Sequence, residues 1–221
     1  AVVTVNVGGA AGATTLIETS AASITVGGTT ATITVTAKDA QGNLLAASGG
    51  TVVLNTTAGT LGAVTDNGNG TYSATLTSPA LVGTATVTGT IGGNAIADNA
   101  TVQFVAGAAS AGTSTITLTP ASPATVTVGT AVPVVVQLKD AAGNNLAASG
   151  GTVVIARSGT GSLTTTTNNG DGTYTATLSS TSLGTATISA TLNGTPITGS
   201  GSAAVTYVAG TATQSAEKGG N

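Results

Sequence analysis

The chain has 221 residues, of which only 5% are charged, and it contains no His, Cys, Met or Trp. Histidine and cysteine supply most general-base, nucleophilic and zinc chemistry, so we predict no enzymatic activity, no cofactor and no metal site. The net charge is −3 with only four cations, which disfavours nucleic acid, and no apolar run approaches the roughly 18–20 residues of a membrane-spanning helix.

The first predicted element is a surplus strand at the start of the chain. Residues 1–9 resemble two later segments, residues 100–107 and 204–210, which end the two domains predicted below. Each domain therefore already has its own copy of this strand. With the linker that follows, the surplus strand is assigned to residues 1–12.

Two hypotheses account for this strand. Residues 1–9 are either the end of a preceding domain or a strand that inserts into a neighbouring subunit by strand addition. In the second case, Val3, Val5 and Val7 would form the strand-exchange interface.

The first domain is predicted over residues 13–107. Its runs alternate apolar and polar side chains, as expected for strands with one buried face. Gly, Asn and Asp clusters between the runs supply the positive φ of tight turns, and no run has helical spacing. About seven short strands are predicted, the number typical of an immunoglobulin-like sandwich. The predicted inward positions are Ala31, Ile33, Val35, Ala37, Tyr72, Ala74, Leu76, Ala85 and Val87.

The second domain, predicted over residues 108–210, repeats the first. Residues 38–54 return as residues 139–155 at an offset of 101, and residues 66–76 return as residues 168–178 at an offset of 102. A period near 100 residues corresponds to one sandwich domain. The matching inward positions are Val132, Val134, Val136 and Leu138.

The sequence therefore predicts an all-β chain of two tandem immunoglobulin-like β-sandwich domains with an extra N-terminal strand. A polar tail, residues 211–221, follows the second domain. Its composition is typical of a natural C-terminus rather than of the start of another domain.

Two motifs indicate a family. One strand ends in Lys38-Asp39-Ala40-Gln41-Gly42-Asn43, and a later turn and strand contain Asn169-Gly170-Asp171-Gly172-Thr173-Tyr174-Thr175-Ala176-Thr177-Leu178. These motifs resemble those of the bacterial immunoglobulin-like repeats of the invasin and intimin family of adhesins, over about residues 13–209. The resemblance implies export to the bacterial surface. It also implies a stalk role rather than that of a receptor-binding tip, because the sequence contains no lectin-like tip domain.

Two loops are candidate calcium sites. Each has one carboxylate, whereas calcium takes six to eight oxygens that usually include several carboxylates, so a tight hairpin is the favoured interpretation. The residues concerned are Asp66, Asn67 and Asn69 in one loop and Asn168, Asn169 and Asp171 in the other.

Lys38 and Lys139 occupy equivalent strand ends and suggest a Lys–Asn crosslink, which needs a buried acid beside the lysine. Since Asp39 and Asp140 are predicted to point to the opposite face, surface lysines are the favoured interpretation. Thr-x-Thr pairs such as residues 86–88 are typical of ice-binding faces, but they are equally typical of the outer face of any threonine-rich strand.

The four aromatic residues are predicted to lie in the core. Tyr72 and Tyr174 follow turns and are expected to bond the backbone through their hydroxyls, and Phe104 matches Tyr207 in the last strand. This leaves no aromatic side chain to stack on a sugar, which disfavours a carbohydrate-binding module.

The predicted function is a structural and adhesive module of a secreted or surface-bound bacterial protein, acting as a stalk or fibre element. The alternative is a subunit of a homopolymeric filament joined through residues 1–9. The predicted partners are accordingly neighbouring immunoglobulin-like domains of the same chain, or identical subunits, while the sequence specifies no host receptor.

Overall fold

The computed structural model describes residues 8–210; Val3, Val5, Val7 and the tail at residues 211–221 lie outside the described residues. The chain divides into two compact units, Ala1–Gly107 and Ala108–Asn221. Every regular element of the described residues is a β-strand, which confirms the all-β prediction. No helix in this part of the chain has the length and hydropathy needed to span a bilayer.

The first domain is a two-sheet sandwich. Its strands are β1 (Leu16–Thr19), β2 (Ser23–Thr25), β3 (Thr30–Thr36), β4 (Val52–Thr56), β5 (Thr60–Leu61), β6 (Thr65–Asp66), β7 (Thr71–Thr77), β8 (Gly83–Ile91), β9 (Asn94–Ala95) and β10 (Ala100–Val105). One sheet has the order β1-β3-β7-β5 with β6 also paired to β7, and the other has the order β2-β10-β8-β4 with β9 also paired to β8.

The second domain repeats this topology. Its strands are β11 (Ala109–Leu118), β12 (Ala124–Thr127), β13 (Val132–Asp140), β14 (Val153–Gly159), β15 (Ser162–Leu163), β16 (Thr167–Asn168), β17 (Thr173–Ser179), β18 (Gly184–Leu192), β19 (Thr195–Pro196) and β20 (Ala203–Val208). The two sheets have the orders β11-β13-β17-β15 and β12-β20-β18-β14, with β16 and β19 paired to β17 and β18.

The predicted number of strands agrees with the structure once short segments are set aside. Seven strands in each domain have three or more residues, and three further segments in each have only two residues. The two-residue segments extend sheets that the longer strands already form. This arrangement is that of an immunoglobulin-like sandwich, so the predicted fold class of two tandem sandwiches is confirmed. The predicted extra N-terminal strand falls largely outside the described residues.

The apolar residues of the alternating runs form the core of each domain. In the first domain, Ile33, Val35, Leu76 and Val87 have no exposed surface, and the other predicted inward positions are also buried. In the second domain, the predicted inward residues Val132, Val134, Val136 and Leu138 are likewise fully buried. Along β3 of the first domain, threonines occupy the intervening positions, where β-branched side chains suit a strand surface.

All four aromatic side chains are buried, as predicted. Tyr72, Phe104 and Tyr174 are each 2% exposed, and Tyr207 is 1% exposed. Large apolar side chains on the surface are aliphatic, such as Leu44, Leu81 and Leu183.

Candidate functional site

The predicted strand-exchange residues Val3, Val5 and Val7 lie outside the described residues. The structure does describe the segment that follows them and the loop that it contacts. This loop is the Lys-Asp-x-x-Gly-Asn motif, and we call it the Asp39 loop, residues 38–43.

Asp39 organises this loop through both its backbone and its carboxylate. The amide of Asp39 donates to the carbonyl oxygen of Asn43 at 2.9 Å, and the amide of Gly42 donates to the carbonyl oxygen of Asp39 at 2.9 Å. The Oδ1 atom of Asp39 accepts from the amides of Gln41 at 3.0 Å and Asn43 at 2.8 Å. Such a side-chain turn explains why the motif needs Asp at its second position and Gly three residues after it.

The carboxylate of Asp39 is only 2% exposed and is surrounded by donors. The Nδ2 atom of Asn43 donates to Oδ1 at 3.2 Å and to Oδ2 at 3.0 Å. This side-chain bond from Asn43 holds the pKa of Asp39 below its ordinary value, and backbone amides lower it further against the opposing effect of burial.

The same loop binds the segment that leads into the first domain. The amide of Gly8 donates to Oδ2 of Asp39 at 3.3 Å, and the Oγ1 atom of Thr14 donates to the carbonyl oxygen of Asp39 at 2.6 Å. The amide of Ala11 donates to the carbonyl oxygen of Lys38 at 2.8 Å. The motif therefore fixes the path of the incoming chain at one end of the domain.

The second domain repeats this arrangement around Asp140, which is 3% exposed. Its Oδ1 atom accepts from the amides of Ala142 at 3.0 Å and Asn144 at 2.9 Å, and Nδ2 of Asn144 donates to both carboxylate oxygens. Thr113 donates through Oγ1 to the carbonyl oxygen of Asp140 at 2.6 Å. Equivalent residues thus hold equivalent segments in both domains.

The candidate crosslink residues Lys38 and Lys139 each stand next to an aspartate that organises its loop. Both lysines are half-exposed, whereas Asp39 and Asp140 are buried. A crosslink would need one of these carboxylates as its acid, and each already accepts hydrogen bonds from amides of its own loop. The feature of the sequence that indicates this role is an Asp followed by Gly three residues later and Asn four residues later.

The two candidate calcium loops are tight hairpins. Asp66 accepts from the hydroxyl of Ser48 and from the amide of Gly68, and the Ser48 bond lowers the pKa of Asp66 most. Asn69 accepts from the amide and hydroxyl of Thr71, at 3.1 and 2.7 Å. The carboxylate of Asp66 and the amide oxygen of Asn69 therefore accept hydrogen bonds from the hairpin itself and from Ser48.

In the second domain Asn168 stands in the place of Asp66, and Asp171 stands in the place of Asn69. Asp171 accepts from the amide and hydroxyl of Thr173, and the hydroxyl bond lowers its pKa most. Within residues 8–210, no three acidic, His or Cys side chains are grouped so that they could hold a metal ion.

The hydroxyls of Tyr72 and Tyr174 bond to the backbone, as predicted, and thereby tie these hairpins to a second loop. The hydroxyl of Tyr72 donates to the carbonyl oxygen of Gly50 at 2.7 Å and accepts from the amide of Gly49 at 2.7 Å. The hydroxyl of Tyr174 donates to the carbonyl oxygen of Gly151 at 2.6 Å. Both tyrosines therefore anchor loops and present no ring to solvent.

The outer face of one sheet is lined with hydroxyls in the first domain only. Along β3 and β7 the cross-strand partners are Thr30 and Thr77, Thr32 and Thr75, Thr34 and Ser73, and Thr36 and Thr71. At the matching positions of β13, the second domain has Pro133, Val135 and Gln137 opposite the threonines of β17. The pairs of hydroxyls are therefore not repeated. Ice binding by such a face stays a hypothesis.

Comparison with known proteins gives a consistent result. The family described as invasin, domain 3, matches residues 2–107 and again residues 110–210. A direct comparison with the sequences of curated proteins finds no match.

Solved structures of adhesins resemble this chain along most of its length. The Escherichia coli adhesin FdeC is 28% identical with a TM-score of 0.71, over 94% of this chain and 67% of that chain. Yersinia pseudotuberculosis InvD is 27% identical with a TM-score of 0.67, over 91% of this chain and 59% of that chain. Invasin, described as a bacterial integrin-binding protein, is 28% identical with a TM-score of 0.66, over 91% of this chain and 41% of that chain.

The two matches to the family cover most of the chain, and both fall on a sandwich with its own core and its own Asp-centred loop. The chain is an adhesin-type immunoglobulin-like module, and it belongs to the invasin domain 3 family.

Proposed function

We propose that this chain is a spacer segment of a bacterial surface adhesin, part of a stalk that holds other domains away from the cell. The observation that carries the proposal is the repetition of one family domain along the whole described chain. Two such domains in sequence provide length, because each adds its own sandwich.

The loops support a spacer rather than a receptor-binding segment. The polar side chains of the Asp39 loop and of the hairpins at Asp66 and Asp171 bond to their own domain. The aromatic residues that usually anchor protein interfaces are buried here. Integrin binding belongs to invasin, of which this chain spans 41%, and it is not part of the proposal.

The alternative is a filament subunit that donates residues 1–9 to a neighbour. The strand that these residues resemble already fills its place in each domain, where β10 pairs with β8 and β20 pairs with β18. A donated strand would have to displace β10 or β20, or add to a sheet edge. The spacer is therefore the better-supported proposal.

Assembly state separates the two proposals. The purified chain and a variant lacking residues 1–9 should be compared by size-exclusion light scattering and negative-stain microscopy. The spacer predicts a monomer in both samples. Filaments or ladders of oligomers that disappear in the truncated variant would overturn the spacer and establish strand donation.

Surface location needs a separate measurement. Antibodies raised against the two domains should bind intact cells of the source bacterium, and external protease should remove that signal. Labelling only after the cells are lysed would contradict the surface location.

A further inference from the structure

We propose that each domain contains a force-bearing clamp, the parallel pairing of an early strand with the last strand. In the first domain the clamp consists of β2 and β10, and in the second it consists of β12 and β20. The inference follows from strand direction and register and does not depend on the proposed spacer role.

Each clamp pairs the first strand of one sheet, in chain order, with the last strand of the same sheet. The partners in the first domain are Ser23 and Gln103, Ile24 and Phe104, and Thr25 and Val105. The partners in the second domain are Ala124 and Val205, Thr125 and Thr206, Val126 and Tyr207, and Thr127 and Val208.

Backbone bonds extend both clamps beyond these partners. The amide of Val26 donates to the carbonyl oxygen of Val105 at 2.9 Å, and the amide of Gln103 donates to the carbonyl oxygen of Ala22 at 2.9 Å. In the second domain the amide of Val128 donates to the carbonyl oxygen of Val208 at 3.0 Å.

Parallel direction decides how tension acts on these bonds. The chain enters β2 at its N-terminal end and leaves β10 at its C-terminal end, and in a parallel pair these ends lie at opposite edges of the ladder. Tension on the chain therefore slides the strands past each other along their axes. The hydrogen bonds of a parallel pair are evenly spaced along both strands, and all of them link one strand to the other. They are therefore loaded together and must break together.

An antiparallel pair of terminal strands would behave differently. Its N-terminal and C-terminal ends would lie at the same edge, so tension would open the bonds one at a time. The observed register therefore gives each domain the stronger of the two geometries.

The clamp of the second domain should resist more force than that of the first. It has four partner pairs instead of three, and Ala124 and Val126 on its early strand are buried, whereas Ile24 on β2 is only partly buried. The amide of Ala204 on β20 also donates to Oγ of Ser122, ahead of β12, at 2.9 Å. Sliding in the second domain must separate one more partner pair and expose more apolar surface.

Single-molecule pulling on the whole chain, held at its two ends, tests the proposal. Two unfolding events are expected at different forces. Val26→Pro removes the terminal clamp bond of the first domain and should lower only the weaker event. Val128→Pro, at the equivalent position of the second domain, should lower only the stronger event.

A core variant supplies the matched control. Ile33→Val lies in β3, outside the clamp, and has no exposed surface. It should lower the denaturant midpoint of the first domain while leaving its unfolding force nearly unchanged. A loss of force as large as that of Val26→Pro would overturn the clamp, because force would then follow overall stability.

A second pulling geometry avoids any change to the clamp bonds. The chain contains no cysteine, so Thr127→Cys gives a single attachment point at the C-terminal end of β12. Pulling between this point and the C-terminus of the chain loads both strands from the same edge. The second domain should then unfold at a clearly lower force than in end-to-end pulling.

Equal forces in the two geometries would overturn the clamp. That result would leave the proposed function standing, since the spacer is tested by assembly state. Conversely, filaments in the assembly experiment would overturn the spacer without changing the expected forces.

Discussion

Tyr207 occupies the place in the last strand of the second domain that Phe104 occupies in the first, and its hydroxyl is buried without a partner. Both side chains pack into their cores, at 1% and 2% exposure. Among the described residues, the hydroxyl of Tyr207 is the buried side-chain polar atom left without a hydrogen bond. Burial also raises the pKa of Tyr207 above its ordinary value.

Removing this hydroxyl should stabilise the second domain. A buried polar group without a partner costs about 1–3 kcal/mol, so we expect Tyr207→Phe to raise the free energy of unfolding by up to about 1 kcal/mol after some loss of packing. Urea unfolding followed by circular dichroism measures the change. A clear loss of stability would show that the hydroxyl has a partner, such as a buried water.

The converse variant is the control. Phe104→Tyr adds a hydroxyl in the first domain, where the Cζ atom of Phe104 is 3.0 Å from the position that a Cβ on Gly59 would take. We expect this variant to lower the urea midpoint of the first domain. A neutral result would indicate that the site has room for both a hydroxyl and a bonding partner.

Gly70 should tolerate substitution far less well than Gly68 in the same turn. Both have positive φ, 83° and 74°, a conformation that costs other residues about 1–2 kcal/mol. A Cβ on Gly70 would lie 2.0 Å from the carbonyl oxygen of Leu45, whereas a Cβ on Gly68 meets nothing within 4 Å. Gly70→Ala should therefore destabilise the first domain by at least about 2 kcal/mol more than Gly68→Ala.

The second domain offers an independent copy of this comparison. Gly172 has φ 85° and Gly170 has φ 83°, and a Cβ on Gly172 would lie 2.2 Å from the carbonyl oxygen of Leu146, while Gly170 faces open space. The melting temperatures of Gly70→Ala and Gly172→Ala should both be lower than those of Gly68→Ala and Gly170→Ala. Similar melting temperatures within each pair would contradict the close approach of these backbones.

Asp66→Asn should reduce the acid sensitivity of the first domain. The hydroxyl of Ser48 lowers the pKa of Asp66 in the folded state. A carboxyl with a lowered folded pKa stabilises the fold above its unfolded pKa of about 3.9 and loses this contribution as the pH falls through the folded value. The melting temperature of the variant should therefore fall less steeply below about pH 4. The difference will be small, because Asp66 is exposed.

The second domain provides the matched control, since Asn168 already bonds to Ser149 at 3.0 Å in the equivalent place. Asn168→Asp should introduce a new acid-dependent loss of stability in that domain. The same pH dependence in the wild type and both variants would exclude a contribution from this position.

Tyr72→Phe should destabilise its domain more than Tyr174→Phe. The hydroxyl of Tyr72 exchanges bonds with both Gly49 and Gly50, while that of Tyr174 donates to Gly151. A buried partner left unsatisfied costs about 1–3 kcal/mol. We therefore expect losses of about 1 kcal/mol for Tyr174→Phe and about 2 kcal/mol for Tyr72→Phe, measured by urea unfolding. Equal losses would indicate that the Gly49 amide finds another partner.

The core could be predicted from the sequence because it depends on local alternation. Ile33 and Val35 lie two residues apart, and a strand places such residues on the same face whatever the rest of the chain does. The repeat then supplied the number of domains, since the second copy carries Val134 and Val136 in the matching positions. Both features are properties of short segments.

The role of Asp39 could not be predicted as directly, because alternation gives the face of a side chain and not its partners. Asp39 is buried because Asn43 and backbone amides surround its carboxylate, and Gly8 reaches it from 31 residues away in sequence. The parallel pairing of β2 with β10 is likewise a contact between distant segments. The alternation of side chains within a strand does not indicate which other strand it pairs with.

The burial of the four aromatic side chains also limits the cleavage sites that proteases can reach in the folded chain. A protease that cuts beside aromatic residues finds them inside the two cores, and one that cuts after basic residues finds Lys38, Lys139 and Arg157 within residues 8–210. The two lysines are only half-exposed and lie at strand ends bridged to Leu44 and Asn145, and Arg157 lies within β14. Cleavage at most of these positions requires a domain to open first. For these two classes of protease, the survival of each sandwich is therefore governed mainly by how rarely that sandwich unfolds.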